Sequence, residues 1–175
     1  MAELTDIQSS TTCKVGRLLL YTTFSPTQLP FMLAQVCFET GWFSNTGAIA
    51  YNNYSGIKYT DSGLQLNSTP SPVMSPEGDP YAVFNTAKDW AIEYVRIISK
   101  GTNEPLQATN LTDYVNDLKA NGYFTADTTT YLNGLQSILD NNISGLMPQI
   151  YGVAVSWVLG IAVTFIGVGW MLYRL

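Results

Sequence analysis

The stretch Leu33-Ala-Gln-Val-Cys-Phe-Glu-Thr-Gly-Trp42 decides how the rest of the chain is read. It closes an apolar run in which Leu29, Met32, Leu33, Val36 and Cys37 recur at i, i+3, i+4, i+7 and i+8, which predicts a helix with one buried stripe. Ser25 is positioned to cap its start, with Pro26 at the first helical position and Gln28 completing a capping box. Gly41 is positioned to end it. Glu39 therefore falls on the last turn, near the negative end of the helix dipole and among Val36, Phe38, Trp42 and Phe43. Dipole and desolvation both disfavour the ionised carboxylate, so its pKa is expected above the ordinary value. A carboxyl group that keeps its proton near neutral pH suits a general acid, such as one that protonates a glycosidic oxygen.

Composition narrows the chemistry. Histidine is absent, which removes Ser-His-Asp and Cys-His catalysis and most catalytic zinc sites. The formal charge is −5, with 8 basic against 13 acidic residues and no basic patch, so nucleic acid is not an expected partner. Cys13 and Cys37 lack metal-ligand spacing and are read as reduced core thiols, with one disulfide as the alternative. Neither a metal nor a cofactor is expected. The length of 175 residues predicts one domain with an appendage. Acidic Glu3 and Asp6 precede any apolar run, and Leu18-Leu19-Leu20 is too short for a signal-peptide core, so no signal peptide is expected.

Taken in order, residues 1–10 are polar and read as loosely held, and a helix is predicted from about Thr11 to Thr23. Between residues 42 and 86, Asn, Gly, Ser, Tyr and Pro accumulate and helical periodicity is lost. Loops with one hairpin are expected there, its arms at Leu64–Val73 and Pro80–Asn85 and its turn at Ser75-Pro-Glu-Gly-Asp79. Thr86, with Asp89 three residues on, predicts the cap of a helix that Gly101 stops. Further helices are predicted over about Thr112–Ala120 and Thr128–Asn141.

The last segment differs in kind. From Gln149 to Tyr173 no residue is charged, longer than the ~20 apolar residues that cross a bilayer core. Tyr151, Trp170 and Tyr173 fit interfacial belts and Arg174 can snorkel at the far end. The expected organisation is a domain over 1–143, a flexible linker over 144–148 and a single transmembrane helix over 149–173. Ser156, Gly160 and Thr164 repeat at four-residue spacing, a face on which such helices can self-associate, although ordinary transmembrane glycine usage gives the same pattern.

With the blocks that follow it, Ala34-Gln35-x-x-x-Glu39-Thr40-Gly41-Trp42 resembles the signature of peptidoglycan N-acetylglucosaminidases, glycoside hydrolase family 73. Asn53-Tyr54-Ser55-Gly56-Ile57-Lys58 is similar to that family's Asn-Leu/Tyr-Phe-Gly-Ile-Lys. Tyr81-Ala-Val-Phe84-Asn-Thr86 resembles its Phe-Arg-x-Tyr-Asp-Ser segment, and Gly122-Tyr123 with Tyr131 resembles Gly-Tyr-Ala-Thr-Asp-x-x-Tyr. The likeness spans about residues 25–140. It implies a mainly α, lysozyme-like α+β domain with a small β-hairpin lobe, Glu39 as catalytic acid, Tyr131 in the sugar cleft and peptidoglycan as the partner. Trp42, Tyr54, Tyr59 and Tyr123 offer aromatic faces for sugar rings; Trp42 and Tyr54 are read equally well as core.

Ala82 replaces the family's Arg and Phe84 its Tyr, and the Tyr131 loop is one residue longer. The resemblance places a second carboxylate in the β-lobe, where Asp61, Glu77 and Asp79 are the candidates and Glu77, at the hairpin tip, is preferred. The expected activity is hydrolysis of the β-1,4 bond between N-acetylglucosamine and N-acetylmuramic acid by a membrane-anchored enzyme. A lytic transglycosylase and a non-catalytic membrane or virion structural protein are the alternatives. A tail-anchored wall hydrolase suits the membrane of a lipid-containing bacteriophage particle, with a bacterial inner membrane as the other setting.

Overall fold

A computed structural model describes residues 4–152, apart from 45, 62 and 64. Its elements are built around one helix, Leu29–Thr40, here numbered α2 because Asp6–Thr23 (α1) precedes it. Leu29, Met32, Leu33, Ala34, Val36 and Cys37 are all fully buried, so the middle of α2 is enclosed all round and not only along the predicted stripe, while Phe38 and Glu39 near its end are exposed. A helix apolar all round belongs in the middle of a helical layer. Each of its large aliphatic side chains contributes about 2 kcal/mol by leaving water.

Two helix starts differ from expectation. α1 begins at Asp6, ahead of Thr11, because Thr5 and Gln8 form a capping box: Gln8 N–H donates to Thr5 Oγ1 (3.2 Å) and Thr5 N–H to Gln8 Oε1 (3.0 Å). The box predicted at Ser25 does not form. Residues 26–28 make a turn, Ser25 Oγ donates to Thr23 O (3.3 Å), and Gln28 Nε2 reaches across to Ala108 O (2.7 Å). α2 therefore starts with Pro30 in its first turn, where a missing N–H costs nothing.

After α2 comes a short helix, α3 (Thr46–Ala50), which the loop reading did not anticipate. The hairpin follows as β1 (Ser68–Met74) and β2 (Pro80–Phe84), an antiparallel pair with Ser68 opposite Phe84, Pro70 opposite Ala82 and Met74 opposite Pro80. The register is irregular between Pro70 and Met74, where Pro72 has no N–H to donate and Ser71 Oγ accepts from Val73 N–H (2.9 Å) instead. The tip turns at Ser75–Asp79 as predicted, closed by Ser75 N–H to Asp79 O (2.7 Å).

Three capped helices complete the domain. In α4 (Ala87–Ile98) the Thr86–Asp89 capping box is present, and the helix ends at Ser99, before Gly101. Asn110 caps α5 (Leu111–Ala120), and Asp127 caps α6 (Thr128–Ile138). α6 packs on α2 and brings Tyr131 beside it. The result is the α+β arrangement expected, helices plus a two-stranded lobe.

The expected linker is not a linker in its conformation. From α6 the chain passes through a π-helical turn, Leu139–Ile143, into helical residues 144–152, here α7. Ile143, Met147 and Ile150 are buried on one face of this segment. Ile150 lies against α1 where Gly16 leaves room: a Cβ on Gly16 would come within 2.8 Å of Ile150 Cδ1. Arg17 Nη2 donates to Gln149 O (3.4 Å), and Tyr151 OH donates to Pro26 O (2.7 Å). Tertiary burial has overridden the breaker signals of Gly145 and Pro148, and the domain's core includes the first residues assigned by sequence to the span. The rest of that span, with Ser156, Gly160 and Thr164, lies outside the described residues; among the described residues no helix is long and apolar enough to cross a membrane.

Candidate active site

α2 ends in an abrupt reversal that lifts Glu39 out of the core. Thr40 folds back, its Oγ1 donating to Val36 O (2.7 Å) and accepting from Phe43 N–H (3.1 Å). Gly41, Trp42 and Phe43 then follow one another in the left-handed region, with φ of 54°, 61° and 60°. Glycine takes this conformation freely; for Trp42 and Phe43 it costs on the order of 1 kcal/mol each, held by the packing of Phe43 on Tyr54. The turn that closes the helix therefore turns Trp42 away from the cleft and leaves Glu39 on its rim.

Glu39 lies in an open cleft of about 810 Å³. Helix α2 contributes Phe38 and Glu39, the Ser55–Lys58 loop and Gln65 form another wall, Glu77 comes from the hairpin tip, α4 supplies Glu93, Arg96 and Ile97, and Lys100 follows just past its end. Tyr123, Phe124 and Tyr131 close the remaining side. Glu39 Oε1 accepts a hydrogen bond from Tyr131 OH at 2.7 Å. One side of the carboxyl faces the cleft, so the residue is solvent-accessible, yet the protein crowded around it displaces enough water to raise its pKa. The Tyr131 bond, which favours the ionised form, offsets part of that rise. Burial and the adjacent Glu39 charge push Tyr131 far up, so it remains a donor.

Tyr131 is fixed from two sides. Phe124 stacks on it with centroids 4.0 Å apart and planes 12° apart, and Phe38 meets it edge-on at 5.3 Å. Gly134, one turn along α6, leaves space for Phe38: a Cβ there would lie 2.5 Å from Phe38 Cε2. The Phe124 loop is itself anchored by Lys119, whose ammonium donates to Thr125 O (3.0 Å) and Ala126 O (2.8 Å) and lies 5.0 Å from the Phe124 ring centre. One turn before Glu39, buried Gln35 Oε1 accepts from both Tyr94 OH (2.7 Å) and Tyr114 OH (2.5 Å). This ties the base of the turn that carries Glu39 to α4 and α5.

The Asn53–Lys58 block is mostly scaffolding for that wall. Asn53 Nδ2 donates to Ile57 O (2.8 Å) and Ala82 O (2.9 Å) while its Oδ1 accepts from Ile57 N–H (2.9 Å), joining the loop to β2. Gly56 takes φ of 65° at the bend. Lys58 bridges Glu77 Oε2 (3.2 Å) and Asp79 Oδ2 (2.8 Å), which holds the hairpin tip against the cleft and lowers the pKa of Glu77.

The sequence-derived residues divide accordingly. Glu39, Glu77, Tyr123 and Tyr131 share the cleft, whereas Asp61 and Asp79 are not among its lining. Tyr54 is core, 3% exposed and edge-on to both Phe43 and Trp90. Trp42 packs against the core cluster and does not line the cleft. Sequence reasoning missed Phe124, which follows Tyr123, and the polar group Glu93, Arg96 and Lys100; the i, i+3 spacing of Glu93 and Arg96 on α4 was the available signal. Cys13 and Cys37 are both free and buried. Among the described residues no cluster of metal ligands occurs.

A helical domain with a hairpin lobe and a glutamate in the cleft between them is the arrangement expected of a lysozyme-like glycoside hydrolase. Residues 27–144 match the family model Glucosaminidase, described as mannosyl-glycoprotein endo-beta-N-acetylglucosaminidase, and the chain belongs to that family. Its fold is similar to the catalytic domain of the autolysin Auto from Listeria monocytogenes, with TM-score 0.55 and 18% identity over 83% of this chain and 90% of that one. It is also similar to the glycoside hydrolase domain of FlgJ from Salmonella typhimurium, with TM-score 0.53 and 18% identity over 88% of this chain and 98% of that one. A chain from a type VI secretion system effector-immunity complex of Pseudomonas protegens gives TM-score 0.54 and 15% identity, covering 81% of this chain and 95% of that one. At these identities the likeness concerns the fold. No curated protein sequence matches the chain.

Proposed function

We propose that this enzyme hydrolyses peptidoglycan at the β-1,4 bond between N-acetylglucosamine and N-acetylmuramic acid. One observation carries the acid–base part of the reading: Glu39, bonded to Tyr131 OH at 2.7 Å, and Glu77, 3.2 Å from Lys58, line the same cleft, where burial raises the pKa of the first and Lys58 lowers that of the second. Such a split separates an acid from a base. Glu39 gives its proton to the leaving oxygen as the glycosidic bond breaks. Ionised Glu77 takes a proton from the attacking water, or the substrate's own N-acetyl oxygen supplies the nucleophile and Glu77 is dispensable. Tyr131 orients the Glu39 carboxyl, and the Tyr123, Phe124 and Phe38 rings provide apolar faces for sugar rings.

The uncharged run from residue 149 to 173 supports a membrane anchor, which we place beyond Ile150 and Tyr151, since these two are engaged by the domain. The setting we propose is the membrane of a lipid-containing bacteriophage particle, where an anchored wall hydrolase acts during infection. Mass spectrometry of fragments released from purified peptidoglycan tests the activity. Reducing N-acetylglucosamine ends are expected; anhydro ends would make the enzyme a lytic transglycosylase, and no product would leave a binding protein. Glu77→Gln separates the two hydrolytic routes, since retained turnover points to N-acetyl assistance.

A further inference from the structure

Three cations line the cleft of an acidic chain, and they are not equivalent. Lys58 is occupied by Glu77 and Asp79. Arg96 stands on the last turn of α4 and Lys100 two residues past its end, and both line the cleft. Glu93, only 1% exposed, accepts from Arg96 Nε (2.9 Å) and Nη2 (2.5 Å), while the Arg96 side chain itself is 45% exposed. The guanidinium is thus held in place by a buried carboxylate along one edge, with Nη1 unspent. Lys100 has no ion-pair partner among the described residues.

A glycan strand gives these groups little to bind. N-acetylglucosamine is neutral, and the lactyl carboxyl of N-acetylmuramic acid is consumed in the amide that carries the peptide stem. The free carboxylates of peptidoglycan belong to the stem. A chain of formal charge −5 repels such anions unless a local cation counters the field, and Lys100 is a cleft cation with no ion-pair partner among the described residues. A guanidinium already immobilised by Glu93 has less side-chain entropy to lose on binding than a free one.

We propose that Arg96 and Lys100 form a carboxylate subsite that takes a stem-peptide carboxylate, so that the enzyme prefers glycan bearing stems over bare glycan. The inference rests on the reading of the cleft as a peptidoglycan site and adds the part of the substrate that is recognised beside the sugars.

The test uses the full-length protein on three soluble glycan preparations free of other anionic polymers. These are strands with native stems, strands whose stem carboxylates are amidated, and strands stripped of stems by an amidase, with the lactyl carboxylates so freed converted to amides. The wild type is expected to show kcat/KM about fivefold higher on native stems than on amidated ones, the scale of one exposed charge-assisted hydrogen bond. That ratio should fall toward one in Lys100→Gln, in Arg96→Lys and at high ionic strength. Arg96→Lys retains a positive charge for Glu93, and thermal melting verifies that both variants fold. A wild-type ratio near one, or a ratio unchanged in folded Lys100→Gln, overturns the subsite. Cleavage of none of the three preparations would overturn the wall-hydrolase reading itself, and the subsite with it.

Discussion

Removing the Tyr131 hydroxyl should move the pH dependence of the enzyme in a direction fixed by the geometry. In Tyr131→Phe the ring keeps its stack on Phe124 and its edge contact with Phe38, and only the 2.7 Å bond to Glu39 is lost. That bond stabilises the ionised carboxylate and holds the pKa of Glu39 below where burial alone would put it. A hydrogen bond to a charged group contributes about 1.5–3 kcal/mol, and solvent on the cleft side of Glu39 favours the lower end. Losing it should therefore raise the pKa of Glu39 further. A general acid works protonated, so the rate falls as pH rises through its pKa. The alkaline limb of kcat/KM against pH, which reports the free enzyme, should therefore move to higher pH. Peak turnover should also fall, because the carboxyl is less well oriented. An alkaline limb that stays in place, or moves to lower pH, would refute the tuning role of Tyr131.

Three further outcomes follow from contacts around the cleft and the domain's end. Gln35→Leu leaves the buried hydroxyls of Tyr94 and Tyr114 without their acceptor and should cost about 2–5 kcal/mol, read by denaturant unfolding. Gly134→Ala should displace the half-exposed Phe38 ring from Tyr131, lowering kcat more than its destabilisation of under ~1.5 kcal/mol explains; unchanged kcat in the folded variant would contradict the buttress. A chain ending at residue 148 removes buried Ile150 and the Tyr151–Pro26 bond, about 2–4 kcal/mol, so it should melt at least ~5 °C below a chain ending at residue 152.

Much of this was legible before any coordinates. The Thr86 cap, the Ser75–Asp79 tip and the position of Glu39 at a helix end follow from local chemistry, which sequence displays directly. Tyr131 was found through its block and not through periodicity, because a cleft tyrosine and a core tyrosine have the same local signature. Tyr54 shows the converse: it carries the same block logic and is buried between Phe43 and Trp90. Trp42 could be placed only by the left-handed run at Gly41–Phe43, which tertiary packing enforces. Glu93 is a buried carboxylate whose partner lies three residues on, and burial of a charge is invisible until the surrounding elements are assembled. At the other end, Gly145 and Pro148 masked the i, i+4, i+7 spacing of Ile143, Met147 and Ile150, which contact with α1 stabilises.

The most direct test of the account is Glu39→Gln, assayed on purified peptidoglycan and by thermal melting at the same pH. The substituted amide has no acidic proton to transfer, but its oxygen can still accept from Tyr131 OH, so the fold should persist. The sign of the linkage sharpens this. Because the folded pKa of Glu39 is raised, stability falls as pH climbs from the unfolded value of about 4.3 through the folded one, and above both the ionised side chain is a net cost. At pH 8 the variant should therefore melt no lower than the wild type while releasing no fragments. A variant that melts normally and still cuts at the wild-type rate would contradict Glu39 as the acid, and with it the central claim.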